Sequence, residues 1–277
     1  MTTTLPAIAI LGTGSMGGAI LSGLLDPSVV VEGGLRVTNR STAKADALRS
    51  DAVASYATEV EPGGNLEAVR GASVVLLAVK PVGILDLASE IAEALEPGSI
   101  VVSVAAGVTI ASIEARLPAG TAVLRAMPNT PSVVRLGVTG VSAGSSVTAE
   151  QAALAASVFA TVGEVVELPE SQIDALSAIS GSGPAYVFFL IEQYREAAHR
   201  LGFDEAQASV LVDATFRGAS ELLAHEGLPP AELRRRVTSP TRTTERAIAV
   251  IEGAGLGDLF EASAEAAIAR AEELAAG

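Results

Sequence analysis

In the first half of the chain, hydrophobic residues come as short, nearly continuous runs. Between the runs they recur with helical spacing. Residues 7–11 are five apolar residues ending at a glycine, and Ala19, Ile20, Leu21, Leu24 and Leu25 follow with the period of a helix. A short apolar run closed by glycine predicts a strand buried on both faces. Runs at 35–39, 53–56, 73–79, 99–104 and 121–126 repeat the pattern. Helices are expected from 42 to about 49, from 62 to 70, and from 81 to 95, where Pro81 cannot continue a central strand but suits a first helical turn. Thr109 is expected to cap another. Strands alternating with helices predict a parallel, doubly wound sheet. Residues 138–143 and 164–168 read as added strands around a helix from 148 to 161.

The pattern changes near Pro169, beyond which no strand signal appears. Ser182-Gly183-Pro184 opens a helix whose first turns, 185–191, are apolar on nearly every face. Such a helix is buried in a core or against another subunit. Gly202 ends it, and Asp204 with Gln207 forms a capping-box pair for the next, running to about Ala224. Pro229-Pro230 opens a short helix carrying Arg234, Arg235 and Arg236, and Ser239-Pro240 opens another. A final Ala/Glu-rich helix spans 256–275; no heptad persists in it, so it reads as an ordinary helix. The division expected is therefore 1–168 for a nucleotide-binding α/β domain and 169–277 for an all-α domain. So much helix with so few aromatics buries little surface alone, which argues for a core shared between two copies.

Composition narrows the chemistry. Nearly half the residues are hydrophobic but only 3% are aromatic, so Ala, Val, Leu and Ile must fill the core. Acidic residues outnumber basic ones 32 to 18, for a net charge of −14. That balance argues against nucleic acid or an anionic membrane as a partner. An anionic cofactor would need local positive groups. The absence of cysteine excludes disulfides, thiolate nucleophiles and cysteine-ligated metals. His199 and His225 lie on predicted surface helices without a partner cluster and read as solvated residues; no metal site is expected. No apolar run reaches the ~18 residues of a membrane span, and no signal peptide precedes the first strand, so a soluble, cytoplasmic chain is expected.

Candidate chemistry begins at Gly12-Thr13-Gly14-Ser15-Met16-Gly17. Gly12 permits a tight turn, Gly14 lets the backbone approach a pyrophosphate, and Gly17 lets the helix pack close to the sheet. The helix N-terminus offers free N–H groups and partial positive charge to phosphates. The second strand ends in Asn39-Arg40-Ser41, with no acidic residue of the kind that binds a ribose 2′-hydroxyl. A guanidinium beside a hydroxyl and an amide suits a 2′-phosphate; the alternative is a solvated loop arginine. Small residues at Ala105-Ala106-Gly107 let a flat ring approach. In the second half no His, Lys, Tyr or Asp acid stands out, except for hydroxyls and carboxylates near Ser180-Gly181-Ser182-Gly183-Pro184 and 237–244. The stretch 237–244 sets five hydroxyls and Arg242 at a helix N-terminus, either as a carboxylate site or as redundant caps.

Four stretches together resemble pyrroline-5-carboxylate reductase: Arg125-Ala126-Met127-Pro128-Asn129-Thr130-Pro131, Ala78-Val79-Lys80-Pro81, Ser180-Gly181-Ser182-Gly183-Pro184-Ala185-Tyr186, and Val237-Thr238-Ser239-Pro240 with Thr243-Thr244. They occur in the family's order over essentially the whole chain. The resemblance implies an N-terminal Rossmann domain and a helical dimerisation domain, with dimers often assembling into decamers. It implies reduction of 1-pyrroline-5-carboxylate to L-proline, the last step of proline biosynthesis, by NADPH, with NADH as a weaker donor. Cofactor contacts then fall on Gly12 to Gly17, Asn39, Arg40, Ser41, Asn65, Ala78, Val79, Lys80, Pro81, Ala105, Ala106 and Gly107. Substrate contacts fall on Glu170, Ser239, Arg242, Thr243 and Thr244. In the family the threonine matching Thr244 hydrogen-bonds the ring nitrogen and neighbouring amides hold the carboxylate. A protonated imine is already electrophilic, so orientation can replace a strong acid.

Two departures stand beside that carboxylate site. The family usually reads Ser-Pro-Gly-Gly where this chain has Ser239-Pro240-Thr241-Arg242, and Asn where it has Arg236. They either add a charge-assisted contact or obstruct backbone approach. Reduction of another cyclic imine on the same scaffold, and nucleotide sensing without turnover, are the alternatives.

Overall fold

A short strand, β1 (Thr3–Leu5), precedes the first apolar run, which forms β2 (Ile8–Leu11) with all four residues buried. Helix α1 (Ser15–Leu24) follows, then β3 (Val29–Val31) and β4 (Leu35–Asn39). The chain continues through α2 (Thr42–Leu48), β5 (Val53–Ala57), α3 (Gly64–Val69), β6 (Val74–Leu77), α4 (Ile84–Ile91), β7 (Ile100–Ser103), α5 (Ile110–Glu114) and β8 (Ala122–Pro128). β9 (Gly137–Ala143), α6 (Ala149–Ala160) and β10 (Gly163–Glu167) complete the sheet. The structure is a computed structural model describing residues 2–239 and 242–276.

The eight-stranded sheet has the order β10-β9-β8-β7-β6-β2-β4-β5. From β5 to β8 every neighbour is parallel; β9 runs antiparallel to β8, and β10 parallel to β9. Chain order reverses at β2, with β4 on one side and β6 on the other. That is where a doubly wound sheet opens a crevice at the carboxyl ends of its strands. Successive side chains of one strand enter different cores. Ile8 and Ile10 pack with Val74, Leu76, Ile20 and Phe159 on one face, and Ala9 and Leu11 with Val75, Leu77, Ile84 and Ile113 on the other. This period of two, filled on both sides, is why the strands read as continuous apolar runs.

Local signals placed the helix starts. The Thr109 hydroxyl accepts from the Ser112 N–H, and Thr148 with Gln151 forms a reciprocal capping box. The helix expected over 81–95 is three pieces, α4 flanked by 3₁₀ turns at Pro81–Gly83 and Ala92–Ala94. β1 and β3, which pair parallel in a sheet of their own, went unread because three residues carry no periodicity.

The chain divides into two compact units, Met1–Gly181 with Ala267–Gly277, and Ser182–Ala266. Residues 169–181 therefore group with the sheet, beyond the division drawn at 168/169, where buried Arg125 of β8 and Asn129 just after it bond to them. In that segment α7 (Ile173–Leu176) passes into a π-helical stretch, Ser177–Gly181. The second unit contains α8 (Gly183–Arg200), α9 (Glu205–Glu226), α10 (Pro230–Val237), α11 (Thr243–Glu252) and the first turns of α12 (Leu256–Ala276). Asp204 and Gln207 cap α9 reciprocally, and left-handed Gly227 closes it. The helix expected to open at Ser239-Pro240 starts instead at Thr243 with Arg242 as its N-cap; Pro240 and Thr241 lie outside the described residues. α8 and α9 pack together, with the Tyr194 and Phe216 rings edge-on and Arg195 bridged to Asp213. Among the described residues, one helix, Glu170–Arg200, is long and apolar enough by length and composition to cross a membrane.

Candidate active site

The turn between β2 and α1 is built around carbonyl and methyl groups that leave no room for a side chain at its first and third glycines. Gly12 has φ of +97°, and a Cβ there would meet Val79 Cγ1 at 2.9 Å and the Ala78 carbonyl oxygen at 3.0 Å. A Cβ on Gly17 would sit 2.2 Å from the Gly12 carbonyl oxygen. Gly14 differs: a Cβ would meet nothing within 4 Å. The first and third glycines thus serve the turn and the helix–strand contact, while the space over the second is open, as backbone approach to a pyrophosphate requires. Ser15 and Met16 form the first turn of α1, which has Gly14 as its N-cap and no side-chain cap bond, so its first amides lack helical partners.

The Thr38 carbonyl accepts from both the Gly12 and Thr13 N–H groups, at 3.1 and 3.2 Å, tying this turn to β4. Thr13 Oγ1 donates to Asn39 Oδ1 at 2.6 Å in a buried contact. Asn39 is 6% exposed, yet its Nδ2 has no partner. A buried amide donor left unmade is costly, and here it lies at the strand end that the sequence reading assigns to the cofactor's adenine ribose. Arg40 is exposed, and among the described residues its guanidinium has no ion-pair partner.

The other expected cofactor residues also lie at the carboxyl ends of the strands. Ala78, Val79, Lys80 and Pro81 follow β6, with Lys80 exposed at the start of a 3₁₀ turn. Ala105, Ala106 and Gly107 follow β7; Gly107 has φ of +73° and open space where a Cβ would be. Asn65 sits in the first turn of α3, and its amide nitrogen donates to both carboxylate oxygens of Glu90, at 3.0 and 3.1 Å.

Of the expected substrate residues, Glu170 lies in the first unit and the remainder in the second. Glu170 Oε1 accepts from the Ile110 N–H at 2.8 Å, at the start of α5, and is 3.6 Å from Arg125 Nη1. Arg125, 3% exposed, bonds Asp174 Oδ1 through Nη2 at 3.1 Å. Asn129 accepts from the Val138 N–H at 2.8 Å and donates to the Ser180 carbonyl at 2.9 Å. The motif carrying Arg125 and Asn129 therefore clamps Asp174 and the π-helical segment to the carboxyl end of β8. Asp174, and the pairing of Asn129 with Ser180, were missed because separations of 49 and 51 residues give no local signal.

Thr243 and Thr244 occupy the first turn of α11, where N–H groups lack helical partners; Thr244 is half-buried and Thr243 exposed. Ser239 is exposed and accepts through its carbonyl from the Arg242 N–H at 3.3 Å. Arg236 is committed elsewhere: it reaches Glu226 and Glu232, each at 3.2 Å. Hydrogen bonds from Arg235 and then Arg236 hold the Glu232 carboxyl down at about 2. Among the described residues no cluster of histidine and carboxylate side chains could hold a metal ion.

Comparison with known proteins decides the family. The chain is 41% identical over 270 residues to pyrroline-5-carboxylate reductase of Corynebacterium melassecola, covering 96% of this chain and 98% of that one. The chain belongs to the pyrroline-5-carboxylate reductase family. The family profile for pyrroline-5-carboxylate reductase dimerisation matches residues 170–274, and one described as NADP oxidoreductase, coenzyme F420-dependent, matches 7–107. The solved pyrroline-5-carboxylate reductase of Coxiella burnetii superposes with a TM-score of 0.89 at 38% identity, covering 96% of this chain and 97% of that one. That of Plasmodium falciparum, solved with NADP bound, superposes at 0.79 with 22% identity and 97% and 98% coverage; at that identity the likeness is one of fold. The glycine turn and the β6 and β7 ends lie in the NADP-oxidoreductase match or at its edge, and Glu170 to Thr244 lie in the dimerisation match of this reductase family.

Proposed function

We propose that this chain reduces 1-pyrroline-5-carboxylate to L-proline with NADPH, in the cytoplasm, as a homodimer or an assembly of dimers. Membership of the reductase family carries the reaction; the open space over Gly14, between two glycines that tolerate no side chain, supports the dinucleotide most directly. The bound cofactor supplies the hydride that adds to the imine carbon.

The chain's own residues do the remaining work. The α1 amides and the turn from Gly12 to Gly17 hold the pyrophosphate, with Asn39, Arg40 and Ser41 at the adenosine end. Ala78 to Pro81 and Ala105 to Gly107 form the walls on either side of the crevice, and Asn65 closes its adenosine end. We assign Thr244 to the substrate's ring nitrogen, where its hydroxyl fixes which face of the imine is presented. Ser239, Thr243 and Arg242 are assigned to the carboxylate. Glu170 holds the start of α5 through the Ile110 N–H and lies beside Arg125. Nothing here requires a strong acid, because the imine nitrogen is protonated before it accepts electrons.

Support for the dimer comes from α8. Phe188 and Phe189 are 66% and 59% exposed in the single chain, alongside exposed Val187 and Tyr194. An apolar face of that size in the family's dimerisation region fits a second copy. The same apolar residues make Glu170–Arg200 long and apolar enough by length and composition to cross a membrane.

Following NADPH absorbance with pyrroline-5-carboxylate tests the reading. Turnover supports it; turnover with another cyclic imine alone, or binding without turnover, replaces it with one of the two alternatives.

A further inference from the structure

The turn after β5 is zipped onto the turn after β4. The Thr58 N–H donates to the Asn39 carbonyl at 2.8 Å, and the Glu59 N–H to the Arg40 carbonyl at 3.0 Å. Glu59 Oε1 then accepts from the Thr42 N–H at 2.8 Å and from Thr42 Oγ1 at 3.2 Å. Ser41, the N-cap of α2, makes no side-chain cap bond of its own. The Glu59 carboxylate is exposed, but backbone and side-chain bonds together fix where it stands: against the turn that carries Arg40 and Ser41. The same turn carries the Arg40 guanidinium, which has no ion-pair partner among the described residues, and the buried Asn39 Nδ2, which has no hydrogen-bond partner. Two donors and one fixed anion thus belong to the two joined turns after β4 and β5.

We infer that Glu59 is a specificity residue that weakens NADPH relative to NADH. The inference rests on the reading that the 2′-phosphate binds at Asn39-Arg40-Ser41. A phosphate monoester carries nearly two negative charges at neutral pH, and a carboxylate at the same turn repels it. A ribose 2′-hydroxyl is neutral and donates to a carboxylate, so NADH escapes the penalty. In dinucleotide folds an acidic residue that binds this hydroxyl commonly stands about twenty residues beyond the glycine turn. Here the strand end is basic, and the acid arrives from the next strand over.

Calorimetric titration of the full-length enzyme with NADP⁺ and NAD⁺ tests this. Glu59→Gln keeps an oxygen for Thr42 and removes only the charge. The expected result is a Kd for NADP⁺ at least threefold lower, with NAD⁺ unchanged or weaker. Glu59→Lys should lower the NADP⁺ value further. An unchanged or raised Kd for NADP⁺ in Glu59→Gln, or equal shifts for both nucleotides, overturns the inference. Arg40→Ala separates the two readings. If it leaves NADP⁺ binding intact, the placement of the 2′-phosphate is wrong; if it weakens NADP⁺ tenfold or more while Glu59→Gln changes nothing, only the role of Glu59 falls.

Discussion

Thr13 donates its hydroxyl proton to Asn39 across 2.6 Å, joining the glycine turn to the end of β4. The bond fixes the Asn39 amide with its oxygen turned inward, leaving Nδ2 as the group without a partner. Thr13→Val removes the donor and strands a buried oxygen, a loss of about 1–3 kcal/mol. The expected outcome is weaker NADP⁺ binding by calorimetry together with a lower Tm, and Thr13→Ser should restore both.

Two glycines of one turn should separate folding from binding. Gly17→Ala forces a Cβ against the Gly12 carbonyl, an overpacking worth ~1–3 kcal/mol, and the melting temperature should fall. Gly14→Ala has room, so its melting curve should match that of the unchanged protein while NADP⁺ affinity falls. A Gly14→Ala enzyme that binds NADP⁺ normally would remove the dinucleotide from this turn.

Thr244→Ala should lower kcat/KM with NADPH saturating by about tenfold or more, the effect of losing one hydrogen bond in the transition state. Thr244→Ser keeps the hydroxyl and should recover most of the rate. Arg242→Gly restores the family's residue. KM rises if Arg242 grips the carboxylate and falls if it obstructs. An unchanged kcat/KM in Thr244→Ala places the chemistry elsewhere.

The exposed face of α8 predicts that the full chain has no stable monomer at micromolar concentration. Phe188→Asp sets a charge in that face, and light scattering should then report a smaller species than for the unchanged protein. A monodisperse monomer from the unchanged chain would contradict the proposal.

Much of the fold was legible because its signals are local. The runs at 8–11, 74–77 and 100–103 are buried on both faces, so they carry an uninterrupted apolar signature. Thr109, Thr148 and Asp204 mark helix starts because a cap satisfies amides within three residues of itself. The glycine turn was legible for a related reason: a left-handed Gly12 and a Gly17 pressed against a carbonyl are demands on the backbone itself. The spacing of the three glycines reports those demands directly.

What the sequence alone determined, then, is the alternation of strand and helix, the glycine turn after β2, the change to an all-helical chain and, through its motifs, the family. Tertiary structure decided which distant side chains meet. Glu59 reaches Thr42 across a strand pair, Glu170 reaches Ile110 and Arg125, and Asn129 reaches Ser180. No periodicity encodes these meetings. Hydrophobic pattern and capping act over a few residues, whereas a contact between residues 17 to 60 positions apart exists only once sheet order and strand register are set.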